Sequence, residues 1–559
     1  MAHFTRQARS NWPLKAWCLL FGLCHGTEAA PAMVVAAHPL AAEAGAAVLE
    51  EGGTAADAAV AVALVLAVVE PQASGLGGGG FALVRSPIGT IESIDYREEA
   101  PRDLRVEVFF DPADTLHTAR SRGGTAVAVP GAAAGLGLLH ERHGRLPLDR
   151  LAAPAIRLAR DGFPVSPSLA ALIGERAGQF LTDSSFTALF LPTGLPPMEG
   201  DSLRNPGLAR ALEEIAAGGF AAFPARRGEA IAAAVRDAGG WLTAGEMASY
   251  QAIVREPLRS QWRGHTLVGA PPPASGALAA MQTLEILEPL DLSALDEAGR
   301  IHVISEALRK ALRDRARHCA DPAFHATPVD SLLAPDLARA ALARIHPDAI
   351  QAVWPALGSR PYWEAPADQR RDMGNTTHIS VWDGEGGVVS LTQSINYFFG
   401  AGLLVDGILL NNQMDDFSWE GDSPNLPEPG KRPRSSMAPM IVLEGGSPLL
   451  CLGTPGGLRI PSTMVEILLR HLALGQSLQE AMDAPRWYPA GTTLVIEPRF
   501  PAETTAALEG IGYRLYPMGP YDTFFGGAHG IRSAPVAGGS LIGAADPRRD
   551  GRAVEARTP

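Results

Sequence analysis

The stretch "RRDMGNTTHISVWDGEGGVVSLTQSINYFFG", residues 370–400, predicts a β-hairpin in the last third of the chain. Polar and apolar residues alternate through "HISVW", "DGEGG" turns the chain, and "VVSLTQSI" returns with the same alternation. On the return strand Ser390, Thr392, Ser394 and Asn396 share one face. This polar face has two interpretations: a solvated sheet surface, or a row of groups that carries chemistry.

The segment before the hairpin predicts an exposed loop. "EAPADQRRDMGN", residues 364–375, combines charge, proline and glycine with almost no apolar residue. Thr376 and Thr377 therefore begin a strand directly after a polar loop that has little to bury.

Composition indicates a globular protein and argues against nucleic-acid binding. The 559 residues are 46% hydrophobic and 19% charged, with a formal net charge of −13. No cluster of basic residues is long enough to follow a phosphate backbone. Of the four cysteines, only Cys319 and Cys451 lie beyond the N-terminal segment, and neither has a CxxC partner. Both are expected to be buried free thiols.

The N-terminal segment, residues 1–29, resembles a secretory signal peptide with an over-long basic region. Its apolar core, "AWCLLFGLC", is too short to span a bilayer. We expect a periplasmic or secreted protein, with a cytoplasmic protein and a loose N-terminal tail as the alternative. The apolar run at residues 58–69 predicts a buried helix capped by Thr54, not a membrane span.

Several sequence patterns resemble cofactor or metal sites but are better explained as turns or helix faces. "SGLGGGGF", residues 74–81, lacks the Lys-Ser/Thr pair of a phosphate loop and precedes a strand, so it predicts close backbone contact. The helix that contains residues 302–318 predicts a solvated arginine-rich face, and its histidines are too far apart to bind one metal. No GxSxG elbow is present. We expect no metal site.

Three further segments are rich in small polar residues: "NNQMDDFS" (411–418), "KRPRSSMAPM" (431–440) and "LGTPGGLRIPS" (452–462). The adjacent aspartates of the first could cap a helix, bind a metal or bind an ammonium group. The "PGG" of the last offers two consecutive backbone N–H groups free of side chains, as a developing oxyanion requires, although an ordinary turn has the same pattern. Each segment alone is a weak signal.

Together with "NTTHIS", these segments resemble the gamma-glutamyltransferase (glutathione hydrolase) family in order and spacing. The resemblance extends from "EEGGTAADAAVAVAL" through "IDYREEAP", "LARDGF" and "PPPASG" to "GAADPR". It implies an α+β fold, the four-layer αββα sandwich of N-terminal-nucleophile hydrolases. It also implies self-cleavage between Asn375 and Thr376 into a large chain (30–375) and a small catalytic chain (376–559) that form one globular unit.

The resemblance also assigns roles to individual residues. Thr376 is the nucleophile, and its new α-amino group, with a pKa of roughly 7.7–8, is the base that its hydroxyl needs. By the same resemblance, the Ser394 hydroxyl hydrogen-bonds the nucleophile, and Gly456 and Gly457 form the oxyanion hole. Arg97 binds the α-carboxylate of the donor, and Asp416, with Asn396 and Gln413, binds its α-ammonium group. Ser435 and Ser436 hold the carboxylate end. The opposite charges of Arg97 and Asp416 are expected at opposite ends of the bound amino acid.

The implied reaction needs no metal or organic cofactor. The donor is a γ-glutamyl amide such as glutathione, and the acyl group passes to water or to an amino acid or peptide acceptor. Residues 417–430 form a short segment, which predicts an open site and substantial hydrolysis. Two alternatives remain: an acylase for cephalosporin-type glutaryl amides, which would leave Asp416 unpaired, and an unprocessed, inactive homologue that acts as a binding protein.

Overall fold

The structure is a computed structural model, and it describes residues 31–111, 114, 117–351, 375–419, 422–534 and 540–558. The signal-like segment (1–29) and residues 364–374 of the expected exposed loop lie outside the described residues. Within the described part of the chain, no helix is both long enough and apolar enough to cross a membrane.

Strands occur along the whole described chain, and most belong to two large antiparallel sheets. In chain order they are β1 (Pro31–Ala36), β2 (Gly79–Arg85), β3 (Ile91–Tyr96), β4 (Phe163–Pro164), β5 (Ser202–Leu203), β6 (Ile253–Arg255), β7 (Leu258–Trp262), β8 (His265–Gly269), β9 (Asn375–Trp382), β10 (Val388–Asn396), β11 (Leu404–Val405), β12 (Ile408–Leu409), β13 (Met440–Glu444), β14 (Ser447–Gly453), β15 (Trp487–Ala490), β16 (Thr493–Ile496), β17 (Arg514–Pro517), β18 (His529–Ser533), β19 (Leu541–Ala545) and β20 (Arg552–Arg557).

Helices fill the segments between these strands. In chain order they are α1 (Pro39–Glu50), α2 (Ala55–Val69), α3 (Thr118–Ser121), α4 (Ala132–His143), α5 (Leu148–Asp161), α6 (Pro167–Phe180), α7 (Ser184–Phe190), α8 (Pro206–Gly218), α9 (Ala222–Asp237), α10 (Ala244–Ser249), α11 (Gly276–Leu287), α12 (Glu297–His318), α13 (Val329–Leu332), α14 (Pro335–Leu342), α15 (Ile460–Leu468), α16 (Leu478–Asp483) and α17 (Ala502–Ile511).

Among the described residues, the first sheet has the strand order β20-β1-β9-β10-β2-β3-β6 and the second has the order β19-β18-β14-β13-β8-β7. The first sheet combines strands from both sides of Thr376: β1, β2, β3 and β6 precede this residue, β9 contains it, and β10 and β20 follow it. The segments before and after Thr376 therefore share one continuous hydrogen-bonded sheet.

The two sheets pack face to face, and helices cover both outer faces. Ile379 and Leu391 of the first sheet pack into one apolar cluster with α1 and α2. The opposite face of that sheet meets the second sheet, where Trp382 packs in a cluster with Ile441 and Cys451. The outer face of the second sheet packs against α11, α12 and α15. This layering is the four-layer αββα arrangement that the resemblance predicts.

Helix α2 is the most apolar helix of the first outer layer, and all of its residues are buried. Burying a Val or Leu side chain contributes roughly 1.5–3 kcal/mol, so this helix holds the first sheet firmly in place. Thr54 caps its N-terminus in a reciprocal capping box with Asp57. The predicted buried helix and its cap are confirmed.

The glycine-rich loop brings backbone segments into close contact, as predicted. A Cβ atom on Gly78 would lie 2.0 Å from the Ser394 carbonyl oxygen, and one on Gly80 would lie 2.3 Å from the Thr392 carbonyl oxygen. Glycine at these positions lets β2 lie tightly beside β10. The loop thereby supports the strand that carries Ser394.

The polar face of β10 is buried, so the solvated-surface interpretation is wrong. The Ser390 hydroxyl donates to the Leu452 carbonyl oxygen at 3.2 Å, and Thr392 Oγ1 lies 2.8 Å from a ring nitrogen of His378. The second sheet covers this face and supplies polar partners that the strand pattern alone could not show. Burial strongly lowers the pKa of His378, which keeps the ring neutral between the sheets.

Candidate active site

A cavity of about 900 Å³ opens where β9 begins and β10 ends. It is lined by nine of the residues singled out in the sequence: Arg97, Thr376, Ser394, Asn396, Gln413, Asp416, Ser435, Ser436 and Gly457. Gly456 immediately precedes Gly457, and Asn375 precedes Thr376 in β9. The tertiary structure therefore brings the four sequence-distant motifs to one place.

Thr376 lies at the inner end of this cavity and is only 4% exposed. The Thr376 hydroxyl donates to Ser394 Oγ at 3.3 Å, and the Ser394 hydroxyl donates in turn to the Asn375 carbonyl oxygen. Ser394 Oγ also accepts the Asn396 backbone N–H at 2.7 Å. These bonds orient the hydroxyl of Thr376 beside the peptide bond that joins Asn375 to Thr376.

The Asn375 side chain is held from several directions. Its amide donates to the Gln72 carbonyl oxygen at 2.9 Å, and its oxygen accepts from Arg549 at 2.7 Å. Arg549 also forms an ion pair with Glu70 at 3.0 Å. Burial raises the pKa of Glu70, while Arg549 opposes this rise. The residue before Thr376 is thus fixed in position, which the sequence did not indicate.

Arg97 and Asp416 form an ion pair in the cavity wall. The Arg97 guanidinium is buried and also donates to the Pro433 carbonyl oxygen at 3.1 Å. The Asp416 carboxylate is 36% exposed and accepts from the Gln413 amide at 2.6 Å. The expectation that the two charges lie at opposite ends of the site is wrong, because β3 and the segment after β12 converge.

A buried carboxyl group accompanies this pair. Glu98, next to Arg97, has no hydrogen-bond partner for its carboxylate oxygens within the described residues. Its nearest cation is Arg97, whose Nη1 lies 3.5 Å away. Burial raises the pKa of Glu98 to about 7, and Arg97 limits the rise. Arg97 thus contacts two carboxyl groups, the fully buried Glu98 and the partly exposed Asp416.

Asn396 has a left-handed backbone conformation, with φ of +73°. Its amide donates to the Asn412 carbonyl oxygen at 3.1 Å, so it connects β10 to the segment that contains Gln413 and Asp416. Asparagine tolerates this conformation better than most residues with a side chain. The connection places the expected ammonium site beside the end of the central hairpin.

The serine pair lies across the cavity and is supported by α12. Ser435 Oγ accepts the Met437 N–H at 3.1 Å, and Ser436 Oγ accepts from Arg315 at 2.7 Å. Because each hydroxyl oxygen accepts from the protein, its proton remains available to donate to a bound carboxylate. Arg315 also donates to Ser275 at 2.7 Å.

The prediction of a solvated arginine-rich face on α12 is wrong for Arg315. This residue is buried, and burial lowers the pKa of its guanidinium. Arg434 is a second missed residue: it donates to the Ala316 carbonyl oxygen at 3.0 Å near the end of α12. Burial, assisted by Arg315, lowers the pKa of Arg434 to about 9. Because Arg434 directly precedes Ser435, the motif could have indicated that Arg434 belongs to the site. No pattern in the sequence around Arg315 indicated that Arg315 is buried.

Gly456 and Gly457 adopt φ of +129° and +56°, which residues with a Cβ rarely adopt. Neither N–H donates a hydrogen bond to any described protein atom. A short 3₁₀ turn, Gly457–Arg459, then leads into α15, so both free N–H groups lie just before a helix N-terminus. The geometry suits the stabilisation of a negative charge.

The short segment after Asp416 forms part of the cavity wall. Trp419 packs on Phe109 with ring centroids 4.4 Å apart, and Arg120 lies over its ring at 4.8 Å. Next to this wall, the Tyr397 hydroxyl donates to Asp415, and burial raises the pKa of Asp415 to about 6. The cavity reaches solvent at Asp416, while Thr376 lies deeper.

Within the described ranges, no group of three or more His, Cys, Asp or Glu side chains is arranged to hold a metal ion. Cys319 and Cys451 are buried free thiols, as predicted, and burial raises the pKa of each to about 11.

This chain has the helix–sheet–sheet–helix order of the N-terminal-nucleophile hydrolases. As in that fold, a hydroxyl residue at the start of a central strand faces a cavity. The family model described as gamma-glutamyltranspeptidase matches residues 41–556. The chain therefore belongs to the gamma-glutamyltranspeptidase family. The glutathione hydrolase proenzyme of Escherichia coli (strain K12) is 35% identical, with 94% of this chain and 91% of that protein covered.

Many solved structures are similar to this chain, and two of them represent the acylases and the transpeptidases. A cephalosporin acylase from Bacillus halodurans superimposes with a TM-score of 0.85 at 28% identity, over 99% of this chain and 98% of that chain. The gamma-glutamyltranspeptidase of Helicobacter pylori has a TM-score of 0.55 at 36% identity, over 56% of this chain and 92% of that chain. Both support the fold assignment.

Proposed function

We propose that this protein cleaves γ-glutamyl amides such as glutathione and transfers the γ-glutamyl group to water or to an amino acid or peptide acceptor. The observation that carries the proposal is the cavity that Thr376 shares with the Arg97–Asp416 pair. An L-amino acid carries its ammonium and carboxylate on one carbon. Adjacent opposite charges in the wall match that head group, with Arg97 on the carboxylate and Asp416 on the ammonium.

The enzyme matures, in this proposal, by cutting its own Asn375–Thr376 bond. Thr376 Oγ attacks the Asn375 carbonyl carbon, the C–N bond breaks, and the hydroxyl proton ends on the Thr376 nitrogen. Water then hydrolyses the resulting ester, which leaves a large chain ending at Asn375 and a small chain beginning at Thr376. The Ser394 hydroxyl supports this step because it donates to the oxygen that becomes negative.

The Helicobacter pylori relative supports a mature protein of two chains. That solved chain is almost fully covered, yet it aligns with little more than half of this chain. The name proenzyme, carried by the Escherichia coli relative, fits the same scheme.

In the mature enzyme the free amino group of Thr376 accepts the proton of its own hydroxyl. The hydroxyl oxygen attacks the γ-carbonyl carbon, and the N–H groups of Gly456 and Gly457 stabilise the oxyanion. The leaving amine takes the proton as the amide bond breaks, and a γ-glutamyl ester remains on Thr376. Water or an amine acceptor then resolves this ester.

The similarity to a cephalosporin acylase favours a second candidate, an amidase that acts on glutaryl amides. Such donors lack the α-ammonium group. They would not leave Asp416 unpaired, as the sequence suggests, because Arg97 and Gln413 already bind its carboxylate. Only a direct comparison of donors separates the two candidates.

The test uses purified full-length protein, intact-mass analysis and two donors, γ-glutamyl-p-nitroanilide and glutaryl-p-nitroanilide, with and without glycylglycine. We expect two chains, a clear preference for the γ-glutamyl donor, and turnover without an acceptor. Thr376→Ala should stay uncut and inactive, whereas Thr376→Ser should still mature.

Preference for the glutaryl donor would favour the acylase. A chain that stays uncut and inactive would identify a binding homologue. Full activity of an uncut chain would refute the maturation scheme. Equal donor preference in wild type and Asp416→Asn would refute the ammonium site.

A further inference from the structure

The oxyanion loop, residues 454–457, connects β14 to the 3₁₀ turn that precedes α15. Its two glycines, Gly456 and Gly457, both have positive φ values, and glycine loses more conformational freedom on folding than any other residue. The loop therefore has little intrinsic preference for the conformation that leaves both N–H groups free. An oxyanion hole is effective only when its donors are held in place before the reaction, so contacts from outside the loop must hold it.

A second segment, the backing turn (residues 523–527), packs against this loop. A Cβ atom on Gly526 would lie 2.2 Å from the Pro455 carbonyl oxygen, so the two backbones are in close contact. The Gly527 N–H donates to Thr454 Oγ1 at 3.3 Å, and the Thr454 hydroxyl donates to the Pro455 carbonyl oxygen at 2.8 Å. These contacts fix the first half of the oxyanion loop relative to the backing turn.

Arg459 and Thr463 join the other end of the loop to the same turn. Arg459 Nε donates to the Phe524 carbonyl oxygen at 2.9 Å, and the guanidinium lies over the Phe524 ring at 4.3 Å. About one helical turn further on, the Thr463 hydroxyl donates to the Phe525 carbonyl oxygen at 3.1 Å. Arg459 and Thr463 are only 3% and 1% exposed. Water therefore cannot easily replace either bond.

The backing turn is itself held by apolar packing. Phe524 and Phe525 belong to one buried cluster with Leu312, Tyr488 and Val495. The two phenylalanine rings meet edge to face, with centroids 5.0 Å apart. The turn is thus part of the packed interior, and it gives the oxyanion loop a rigid support.

We propose that Arg459, assisted by Thr463, is the positioning residue of the oxyanion hole: it holds the loop against the backing turn, so that the Gly456 and Gly457 N–H groups are aimed before charge develops. Arg459 acts through the loop and not through its own charge. This role rests on the proposed γ-glutamyl activity and deepens it by naming residues that set its rate. A displacement of about 1 Å at a reacting centre costs up to ~10²-fold in rate.

The first test variant is Arg459→Lys, which keeps the positive charge but loses the Nε donor and the planar group that lies over Phe524. Its matched control is Arg499→Lys. Arg499 lies over the Tyr521 ring at 3.8 Å and donates to the Asp483 carbonyl oxygen at 2.7 Å. Arg499 is not among the described residues that line the cavity.

The second test variant is Thr463→Val, which removes the hydroxyl at nearly constant size. Its matched control is Thr283→Val, because the buried Thr283 hydroxyl donates to the Ala279 carbonyl oxygen at 2.7 Å within α11. Intact mass and thermal melts verify that each protein is mature and folded.

The measured quantities are kcat and KM for γ-glutamyl-p-nitroanilide and the inhibition constants of L-glutamate and L-2-amino-4-boronobutanoic acid. The two inhibitors share one amino-acid head group. The boronic acid adds the Thr376 oxygen to boron, the hydroxyl proton passes to the Thr376 amine, no group leaves, and the boron becomes a tetrahedral anion. The ratio of the two constants therefore separates stabilisation of the tetrahedral state from binding of the head group.

Arg459→Lys should lower kcat roughly 10- to 100-fold with KM nearly unchanged. It should weaken the boronate by a similar factor and leave L-glutamate unaffected. Thr463→Val should show the same pattern at about three- to tenfold, the range of one neutral hydrogen bond. Both controls should behave as wild type.

Wild-type kcat in mature Arg459→Lys would overturn the role, since charge alone would then suffice. Equal weakening of the boronate and L-glutamate, an equal loss in the controls, or a folded Arg459→Lys protein that stays uncut would overturn it as well. If Arg459→Lys fails to fold, Thr463→Val decides, and wild-type kcat there would overturn the role. Mature wild type that neither hydrolyses the donor nor binds the boronate would refute the γ-glutamyl activity, and this role with it.

Discussion

Replacing Ser394 by alanine tests the central hydrogen-bond chain of the site. The Ser394 hydroxyl donates to the Asn375 carbonyl oxygen and accepts from the Thr376 hydroxyl at 3.3 Å and from the Asn396 N–H at 2.7 Å. When Thr376 attacks Asn375, that carbonyl oxygen becomes an oxyanion. The serine hydroxyl is the donor that it then requires.

The size of the effect follows from burial. Ser394 is only 2% exposed, so water cannot easily replace the lost donor. Removing one oxyanion donor typically slows a reaction by ~10²–10³, or about 2.7–4 kcal/mol. We therefore expect Ser394→Ala to cut itself about a hundred- to a thousandfold more slowly than wild type. Ser394→Thr keeps the hydroxyl and should mature at close to the wild-type rate.

The matched control is Ser390→Ala. Ser390 lies on the same face of β10, is equally buried, and donates to the Leu452 carbonyl oxygen at 3.2 Å, away from the cavity. Its loss should cost about 1 kcal/mol of stability without slowing maturation. A time course of intact mass after refolding, with thermal melts of each variant, measures both effects. Wild-type maturation of a folded Ser394→Ala protein would refute the reasoning.

Three further predictions concern charge and pH. Arg97→Gln should raise the KM for γ-glutamyl-p-nitroanilide by ~30-fold or more, since losing one partner of a buried charge pair costs ~2–5 kcal/mol. Intact mass should show normal cleavage of that variant, and an unchanged KM would contradict the prediction. In wild type, kcat/KM should rise with pH through an apparent pKa near or somewhat below ~7.7–8, because the Thr376 amine must be neutral to act as a base. An acid limb that stays flat would exclude that base. Finally, Glu466→Gln should raise Tm above about pH 8 and leave it nearly unchanged near pH 4. Burial raises the pKa of Glu466 from 4.5 to about 8, so its stabilising contribution is complete below 4.5 and is lost as pH rises through 8. Equal Tm differences at both pH values would contradict this assignment.

Local patterns predicted the elements that depend on neighbouring residues. The alternation around "DGEGG" predicted the hairpin, and the structure extends its first strand back to Asn375. The apolar run with Thr54 predicted α2 and its cap, and the glycines predicted the tight contact of β2 with β10. The motifs also named the residues that meet in the cavity, because each motif keeps its own few residues close together.

Contacts between distant residues were decided by tertiary structure. Arg97 and Asp416 are 319 positions apart, and their pairing depends on how β3 and the segment after β12 pack. Arg315 meets Ser436 across 121 positions, so a helix that looked solvated became part of the site.

The sequence by itself therefore determined the family and the hairpin. It also gave Thr376 as the expected reacting residue. Only the folded chain decided that the polar face of β10 is buried, because a second sheet must cover it before Ser390, Thr392 and Ser394 lose solvent. A strand with alternating polarity looks the same whether water or another sheet lies on its polar side. The physical reason is that burial and charge pairing depend on partners that the local pattern does not contain.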